Sequence, residues 1–431
     1  MENTLINTKS VDFSKSRQSE PEWLYTMRRQ SWEMFLDQPL PDRAEHLWRY
    51  TDPRQFIPEK LDHATGTTRP SSHRKNKAAK SLSENLAAPG YPLQENNNGL
   101  ISSDEIMGNK AIIKNLAHAA HENEDIVIPH LGRLVGPEFG KFEGLNLALW
   151  ENGLFIYVPD NVTIAKPIHL QRSPITKFTA LRLLVVAGKN AAVTLVDDYA
   201  GNPDMPDALV NSVIEIYAGD HSRVRYVGWQ RQTGQAKSFI TQRSHLGADS
   251  QMHIVLGSMD GAVSKMNTGS ILDGRGADSR IFGLLFGSDT RHHDLHTRHH
   301  HKHGETYSNI DFKVILKDTA TSAYTGLIRI DEKAVNCEAF QENRNLLLNR
   351  GARAESIPEL EILCDQVRCS HGATMGPIDP EILFYLKNRG IDHNQAVKTV
   401  ISGFAEPVMA QFPQYLSDAL QKSMALKLET D

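Results

Sequence analysis

Nitrogen and sulfur donors are concentrated in two short stretches of this 431-residue chain. The first is RHHDLHTRHHHKHG, residues 291–304, where seven of the twelve residues from His292 to His303 are histidine. Imidazole is the commonest protein ligand for transition metals. Read as a strand, the segment sends His293, Leu295, Thr297, His299, His301 and His303 to one face and His292, Asp294, His296, Arg298, His300 and Lys302 to the other. The Leu and Thr assign the first face to the interior. The second stretch is CSHGAT, where Cys369 and His371 stand at i and i+2. On a strand they share a face. One soft and one borderline ligand side by side make half of a metal site.

Two readings of the first stretch stay open. His299, His301 and Glu305 spell H-x-H-x-x-x-E, the core of the cupin metal motif. They would serve a metal-dependent β-solenoid or cupin-like enzyme. The glycines that flank that motif are missing, with His at 293 and Phe at 312, and no second cupin motif follows. The other reading is a polar rung of a repetitive β-fold, since a His-rich tract alone is a compositional signal. The remaining thiols, Cys337 and Cys364, read as small buried hydrophobes. Three scattered cysteines with no CxxC cannot build a stable four-cysteine site.

The elements that must position these residues fall into three zones, with bounds expected at 1–126, 127–376 and 377–431. EPEWLYTMRRQSWEMFLDQPLPD has helical spacing and stops at Pro39 and Pro41. A polar connector follows at about 63–98, and SDEIMGNKAIIKNLAHAAHENED reads as a second helical piece. From about 127 the pattern changes to short strands, including LNLALWENGLFIYVP, each punctuated by Gly with Asp or Asn. Gly188, Gly219, Gly247 and Gly276 recur at intervals of 31, 28 and 29 residues, each before an apolar strand. Such a period without intervening helices favours a β-solenoid over an antiparallel sandwich. The last zone is helical. Asp379 caps a helix with Pro380 at its first position, and Gly390 ends it. Its short amphipathic helices either cap the solenoid or offer an apolar stripe to a partner.

Bulk properties exclude several classes. A net charge of -5 argues against a nucleic-acid or anionic-membrane partner. The amino-terminal stretch has no apolar core of an export signal, and no apolar run approaches a membrane span. These features predict a cytoplasmic protein with reduced thiols. There is no G-x-x-x-x-G-K-[ST] loop, so ATP chemistry would belong to a partner.

Downstream the chain becomes specific. The segments Q-x-N-R-N-L-L-L (Gln341 to Leu348), P-x-L-E-I (Pro358 to Ile362), V-x-C-S-H-G-A-T-x-G (Val367 to Gly376) and L-F-Y-L-x-x-R-G-I (Leu383 to Ile391) strongly resemble the SufB/SufD family of iron–sulfur cluster assembly proteins. LHTR at 295–298 and LWRYTDP at 47–53 are weaker matches. The dense match covers roughly 290–412. Within the family the chain is similar to SufD rather than SufB. Gly372 stands where SufB-like chains carry Glu, and Ser356, Ile357 and Pro358 leave no cysteine before the P-x-L-E-I region.

The resemblance implies a right-handed parallel β-helix core flanked by helical amino- and carboxy-terminal domains. It implies a non-catalytic scaffold subunit of a SufB–SufC–SufD complex in which SufC is the ATPase. His371 falls on the SufD histidine that acts with a SufB cysteine at the heterodimer interface, and Cys369 also matches the family pattern. The cluster or iron would be bound transiently and shared with SufB. A mixed and incomplete ligand set suits a scaffold that must bind and release. The carboxy-terminal helical domain would dock SufC around Leu383, Phe384, Leu386, Val400 and Phe404. An open solenoid edge would also let the chain pair with itself as a homodimer when SufB is absent.

Overall fold

Each Gly-punctuated apolar segment after residue 151 forms one strand, and successive strands go alternately to two sheets. The computed structural model describes residues 20–58, 91–96, 99–100, 111–174, 176–232 and 234–429. Most of the polar connector expected at 63–98 lies outside them. One sheet has ten strands and ends with Cys337–Leu347 and Val367–Gly376. The other has nine and ends with Thr321–Ile330 and Arg353–Ile362. From Asn152 onward every neighbour within a sheet is parallel. This is a β-solenoid of about eight turns. The strands are buried on both faces over most of their length, which explains their near-continuous apolar runs.

The corners of the solenoid carry the repeat. Asn161, Asn190, His221, Asp249, Gly276, Glu305 and Asn336 all have positive φ and line one corner. The Asn190, His221 and Asp249 N–H groups donate to the carbonyls of Asp220, Ala248 and Arg275 in the following turn, at 2.9, 2.8 and 2.8 Å. Asn and Asp tolerate this backbone region better than most residues, which is why they punctuate the sequence. The third interval is corrected by the register. Gln251 pairs with Asp278, a step of 27 residues, so the partner of Gly247 is Gly274 and not Gly276. Gly276 instead takes the left-handed position held by Asp249 one turn earlier, with φ 73°.

Two local expectations differ from the structure. Leu145 to Leu149 do not begin a strand; they end a helix, Lys141–Leu149, in which every residue from Phe142 onward is buried. That helix lies between the helix Glu22–Asp37 and the nine-stranded sheet. Its apolar run on all sides reflects burial rather than strand alternation. Ile112–Asn115, expected to be helical, is a strand antiparallel to Asn152–Val158. Asn115 then caps the helix Leu116–Glu122 by accepting from the Ala117 N–H at 2.9 Å.

The solenoid interior is an aliphatic core that includes Ile156, Leu183, Ile216, Ile254, Ile281 and Ile310. Helices cover both flanks. The amino-terminal region packs on the nine-stranded sheet through Leu24, Trp150, Phe155 and Leu184, and through Trp48, Phe56, Phe142 and Phe239. The carboxy-terminal helices His393–Met409 and Gln414–Glu429 pack on the ten-stranded sheet through Ile401, Val408, Leu416 and Leu420 against Val227, Val255 and Phe286. They therefore cover a face and leave the end open, which corrects the capping alternative.

The amino-terminal region is held on the sheet by buried charge. Arg182 Nη2 donates to Glu215 Oε2 at 2.6 Å with both side chains fully buried. The same carboxylate accepts from the N–H groups of Gly132, Leu134 and Val135 at 2.9, 3.0 and 3.1 Å. Glu215→Ala strands a buried guanidinium and three backbone donors. The expected cost is about 3–5 kcal/mol of unfolding free energy, read from urea denaturation. A loss below about 1 kcal/mol would show that the pair does not anchor this region.

Candidate functional site

Cys369 and His371 sit on Val367–Gly376, the last strand of the ten-stranded sheet. Their register partners are Ala339 and Gln341, both buried in the row that faces the solenoid interior. Among the described residues no further turn stacks below, so the same row is open at this end. His371 is exposed and Cys369 is half-buried. A Cβ on Gly372 would meet nothing within 4 Å, and Met375 is 51% exposed. The other strand of the final turn, Arg353–Ile362, is also an edge and has only Ala354 buried. Among the described residues, two edges with unpaired backbone groups therefore border the Cys369 and His371 side chains.

The thiols gather at this end. Cys337 and Cys364 are buried in one apolar cluster with Ile328, Ile330 and Ala339, and Cys369 packs against it. Cys337 Sγ lies 3.1 Å from Thr306 Oγ1 and donates to the His303 carbonyl at 3.4 Å. Burial, then the neighbouring Cys337, pushes the Cys369 thiol up. Cys369 is therefore protonated at neutral pH, and a metal must displace that proton to use the sulfur. Among the described residues no group of three or more His, Cys, Asp or Glu side chains is placed to hold a metal ion. The terminal turn offers two donors, and any closed coordination sphere needs others from outside.

The histidine-rich stretch forms the strand His292–His301, and its inner face is the one expected. His293, Leu295, Thr297, His299 and His301 are buried. His301 Nδ1 and Nε2 meet Thr306 Oγ1 and Ser308 Oγ at 2.7 and 2.9 Å. His299 Nε2 meets Ser279 Oγ at 3.1 Å, and His293 Nδ1 meets Ser258 Oγ at 3.3 Å. Burial pushes all three imidazoles down to about 3. The metal trio His299, His301 and Glu305 does not converge. Glu305 lies past the corner in the left-handed conformation, and its carboxylate is paired with Arg275 at 2.6 Å on the surface. The four-residue step from His301 crosses the turn, so the carboxylate points away from the interior. The stretch is a polar rung of the solenoid.

Sequence reasoning missed what covers the outer face of the same strand. Lys265 Nζ lies 2.7 Å from Asp294 Oδ2 and 2.9 Å from His296 Nε2, and donates to the Leu47 carbonyl at 2.5 Å. Thr51 Oγ1 donates to Asp294 and lies 2.8 Å from His292 Nε2. Lys265 also lies 4.6 Å from the centroid of the Trp48 ring. Leu47 to Thr51 fall within the LWRYTDP stretch, whose family-like pattern was the one signal that this segment meets the rung.

The expected docking residues divide. The helix Pro380–Asn388 buries none of its residues, and Phe384 is 67% exposed. Leu383, Leu386 and Val400 are half-buried. Phe404 packs against the ten-stranded sheet, with Lys313 Nζ 6.0 Å from its ring centroid, so it serves the fold. Ile382 and Tyr385, 47% and 56% exposed, join Phe384 in the apolar surface and were not singled out by spacing.

A family model described as SUF system FeS cluster assembly, SufBD core domain, matches residues 170–404. A second, described as SufBD protein N-terminal region, matches residues 11–170. The chain belongs to the SufBD family of iron–sulfur cluster assembly proteins. Among its relatives, the iron-sulfur cluster assembly protein SufD of Bacillus subtilis (strain 168) is 30% identical over 95% of this chain and 96% of its own length. The iron-sulfur cluster assembly protein SufB of the same organism is 24% identical over 98% of this chain and 93% of its own length. No helix among the described residues is long and apolar enough to cross a membrane.

The buried histidines set a pH dependence of stability. In the fold His293, His299 and His301 stay neutral down to about 3, against an ordinary value of 6.5. Between those values the unfolded chain takes up protons that the native chain refuses. Their contribution is complete above pH 6.5 and declines as pH falls, by up to about 1.4 kcal/mol per pH unit for each histidine. Urea denaturation at pH 7.5, 6.5 and 5.5 should show that decline, and His299→Gln should flatten it by about one histidine's share. An unchanged slope in the variant would contradict the burial of a neutral His299.

Proposed function

We propose that this chain is the SufD-type subunit of a SufB–SufC–SufD complex, a non-catalytic scaffold on which an iron–sulfur cluster is assembled and released. The observation that carries the reading is the open final turn, where Cys369 and His371 stand between two unpaired strand edges. A partner solenoid can add strands to those edges, with main-chain hydrogen bonds supplying affinity. The partner's own donors then complete what two side chains cannot. Sulfur and imidazole both bind iron, and a site divided between two subunits forms on docking and opens on separation. The cluster is cargo here, held transiently by His371 and Cys369 together with groups of a SufB-type partner.

The helix Pro380–Asn388 docks the SufC ATPase in this reading. Its exposed Ile382, Phe384 and Tyr385 give a small apolar surface beside a packed helical pair. Leu383, Leu386 and Val400 line it in part. ATP hydrolysis belongs to SufC, and this chain transmits the resulting motion through the carboxy-terminal helices to the solenoid.

Co-expression with SufB- and SufC-like subunits of the same source tests the reading. A stable three-component complex is expected on size exclusion, and its failure to form overturns the assignment. Within the complex, His371→Ala should leave assembly intact and lower cluster reconstitution by about tenfold or more, followed by the visible absorption of the cluster. Phe384→Asp should release SufC while SufB stays bound, because a buried charge without a partner costs several kcal/mol. Full SufC retention by that variant would remove the helix from the docking surface.

A further inference from the structure

A cleft of about 380 Å³ lies between the amino-terminal region and the outer face of the nine-stranded sheet. A smaller hollow of about 140 Å³ adjoins it, sharing Phe139, Arg243 and Arg298. Its apolar walls are Leu47, Phe139 and Leu327. Arg243, Arg298 and His296 line it together with His46, Asn267 and the hydroxyl-bearing Thr297 and Thr325. The one carboxylate on the lining, Glu359, lies 3.4 Å from His46 Nδ1.

Arg243 is only 6% exposed, yet it has no carboxylate partner. Its Nη1 donates to the carbonyls of Gln242 and Asn267 at 2.7 and 3.1 Å, and Nη2 donates to Asn267 Oδ1 at 2.7 Å. A guanidinium has five N–H donors in a fixed fork, so its Nε–H and one Nη2 proton remain without a partner among the described residues. The Arg298 side chain makes no hydrogen bond or ion pair with a described residue. His296 is 4% exposed, and its buried Nδ1 also has no partner.

The register explains why two arginines stand together. Arg243 and Arg298 each pair with Gly269 of the strand between them. The two stems rise about 10 Å apart, two strand spacings, over a residue without a side chain. A Cβ at Gly269 would run into the Arg298 backbone. Burial, then the Arg298 charge, pushes the Arg243 guanidinium down to about 9. The nearest opposing group, Glu143, is engaged by Thr241 at 2.7 Å and is itself pushed up by burial. A buried guanidinium beside a second positive charge, with donors open on both, is stabilised by an anion placed between them.

We propose that this cleft binds a small organic anion. Its phosphate or carboxylate group sits between Arg243 and Arg298 and meets His296 Nδ1, and its apolar part rests on Phe139, Leu47 and Leu327. The site lies on the outer face of the nine-stranded sheet and reaches Glu359 of its edge strand, whereas Cys369 and His371 belong to the other sheet; it does not depend on the proposed cluster chemistry. Calorimetric titration of the full chain with inorganic phosphate, and separately with citrate, at constant ionic strength in chloride tests it. Saturable binding of at least one probe is expected, weakened at least about tenfold by Arg298→Gln. The probe that saturates distinguishes a phosphate ligand from a carboxylate one. Arg298 is exposed, so the variant should fold, with native circular dichroism as the check. Arg350→Gln, an exposed arginine outside the cleft, should bind like the unaltered chain. The proposal is overturned by the absence of saturable binding to both probes, by unaltered affinity in Arg298→Gln, or by an equal loss in Arg350→Gln.

Discussion

Each turn of the solenoid is hydrogen-bonded to the one before it residue for residue, so a side chain's neighbours lie 26 to 32 positions away. Everything else in the molecule adjusts to that stacking. Inside, it aligns aliphatic residues in continuous rows. At the corner it requires a left-handed residue once per turn, met by Asn161, Asn190, His221, Asp249, Gly276, Glu305 and Asn336. An L residue at such a position costs of order 1 kcal/mol or more, which the interturn hydrogen bonds offset. The stack also has no internal means of stopping. At its start an antiparallel strand, Ile112–Asn115, covers one edge. At its end both edges are bare among the described residues.

On the flanks the same rule brings charges into contact. Lys265 and Asp294 occupy adjacent strands in register, and burial under Trp48 and Thr51 makes their pairing obligatory. The opposite charge, together with hydrogen bonds, holds the Asp294 carboxyl well below its usual range in spite of burial. Such a pair adds less to stability than its geometry suggests, because desolvation opposes it. It does specify where the amino-terminal segment lands. Arg182 and Glu215 act likewise for the loop at 132–135. The covering segments are therefore positioned by polar groups and sealed by aromatic ones, such as Trp48 stacked 5.8 Å from Phe239.

Much of this architecture was legible because period and alternation survive in a parallel stack. Most of the strands, the corner residues, the inward face of His293 to His301 and the cap at Asp379 all have local signals. Three things did not. The Lys141–Leu149 helix is apolar on all sides, and burial on all sides removes the periodicity that separates helix from strand. Gly274 and Gly276 lie two residues apart, so counting glycines chose the wrong one of the pair. Glu305 joined a metal trio by spacing alone, while the corner between it and His301 is a three-dimensional fact. At the candidate site, Cys369 and His371 were singled out by a specific sequence context. Their exposure came only from being in the last turn, which no local pattern encodes.

That position bears on the chemistry. The same two side chains one turn earlier would be sealed in the interior, as Ala339 and Gln341 are, and could bind nothing. Placed at the end of the stack, they are pre-aligned by the sheet register and, in the proposed reading, incomplete as ligands. Cys369 also holds its proton more tightly than a free thiol, because half-burial disfavours the thiolate. A metal bound by this chain alone would face one imidazole and one protonated thiol, which is a weak site. A second solenoid added to the open edges would bring further donors and lower the local polarity that water supplies. In the proposed reading, affinity for the cluster then rises and falls with the interface. Retention and release become two states of one contact, with no change of ligand required.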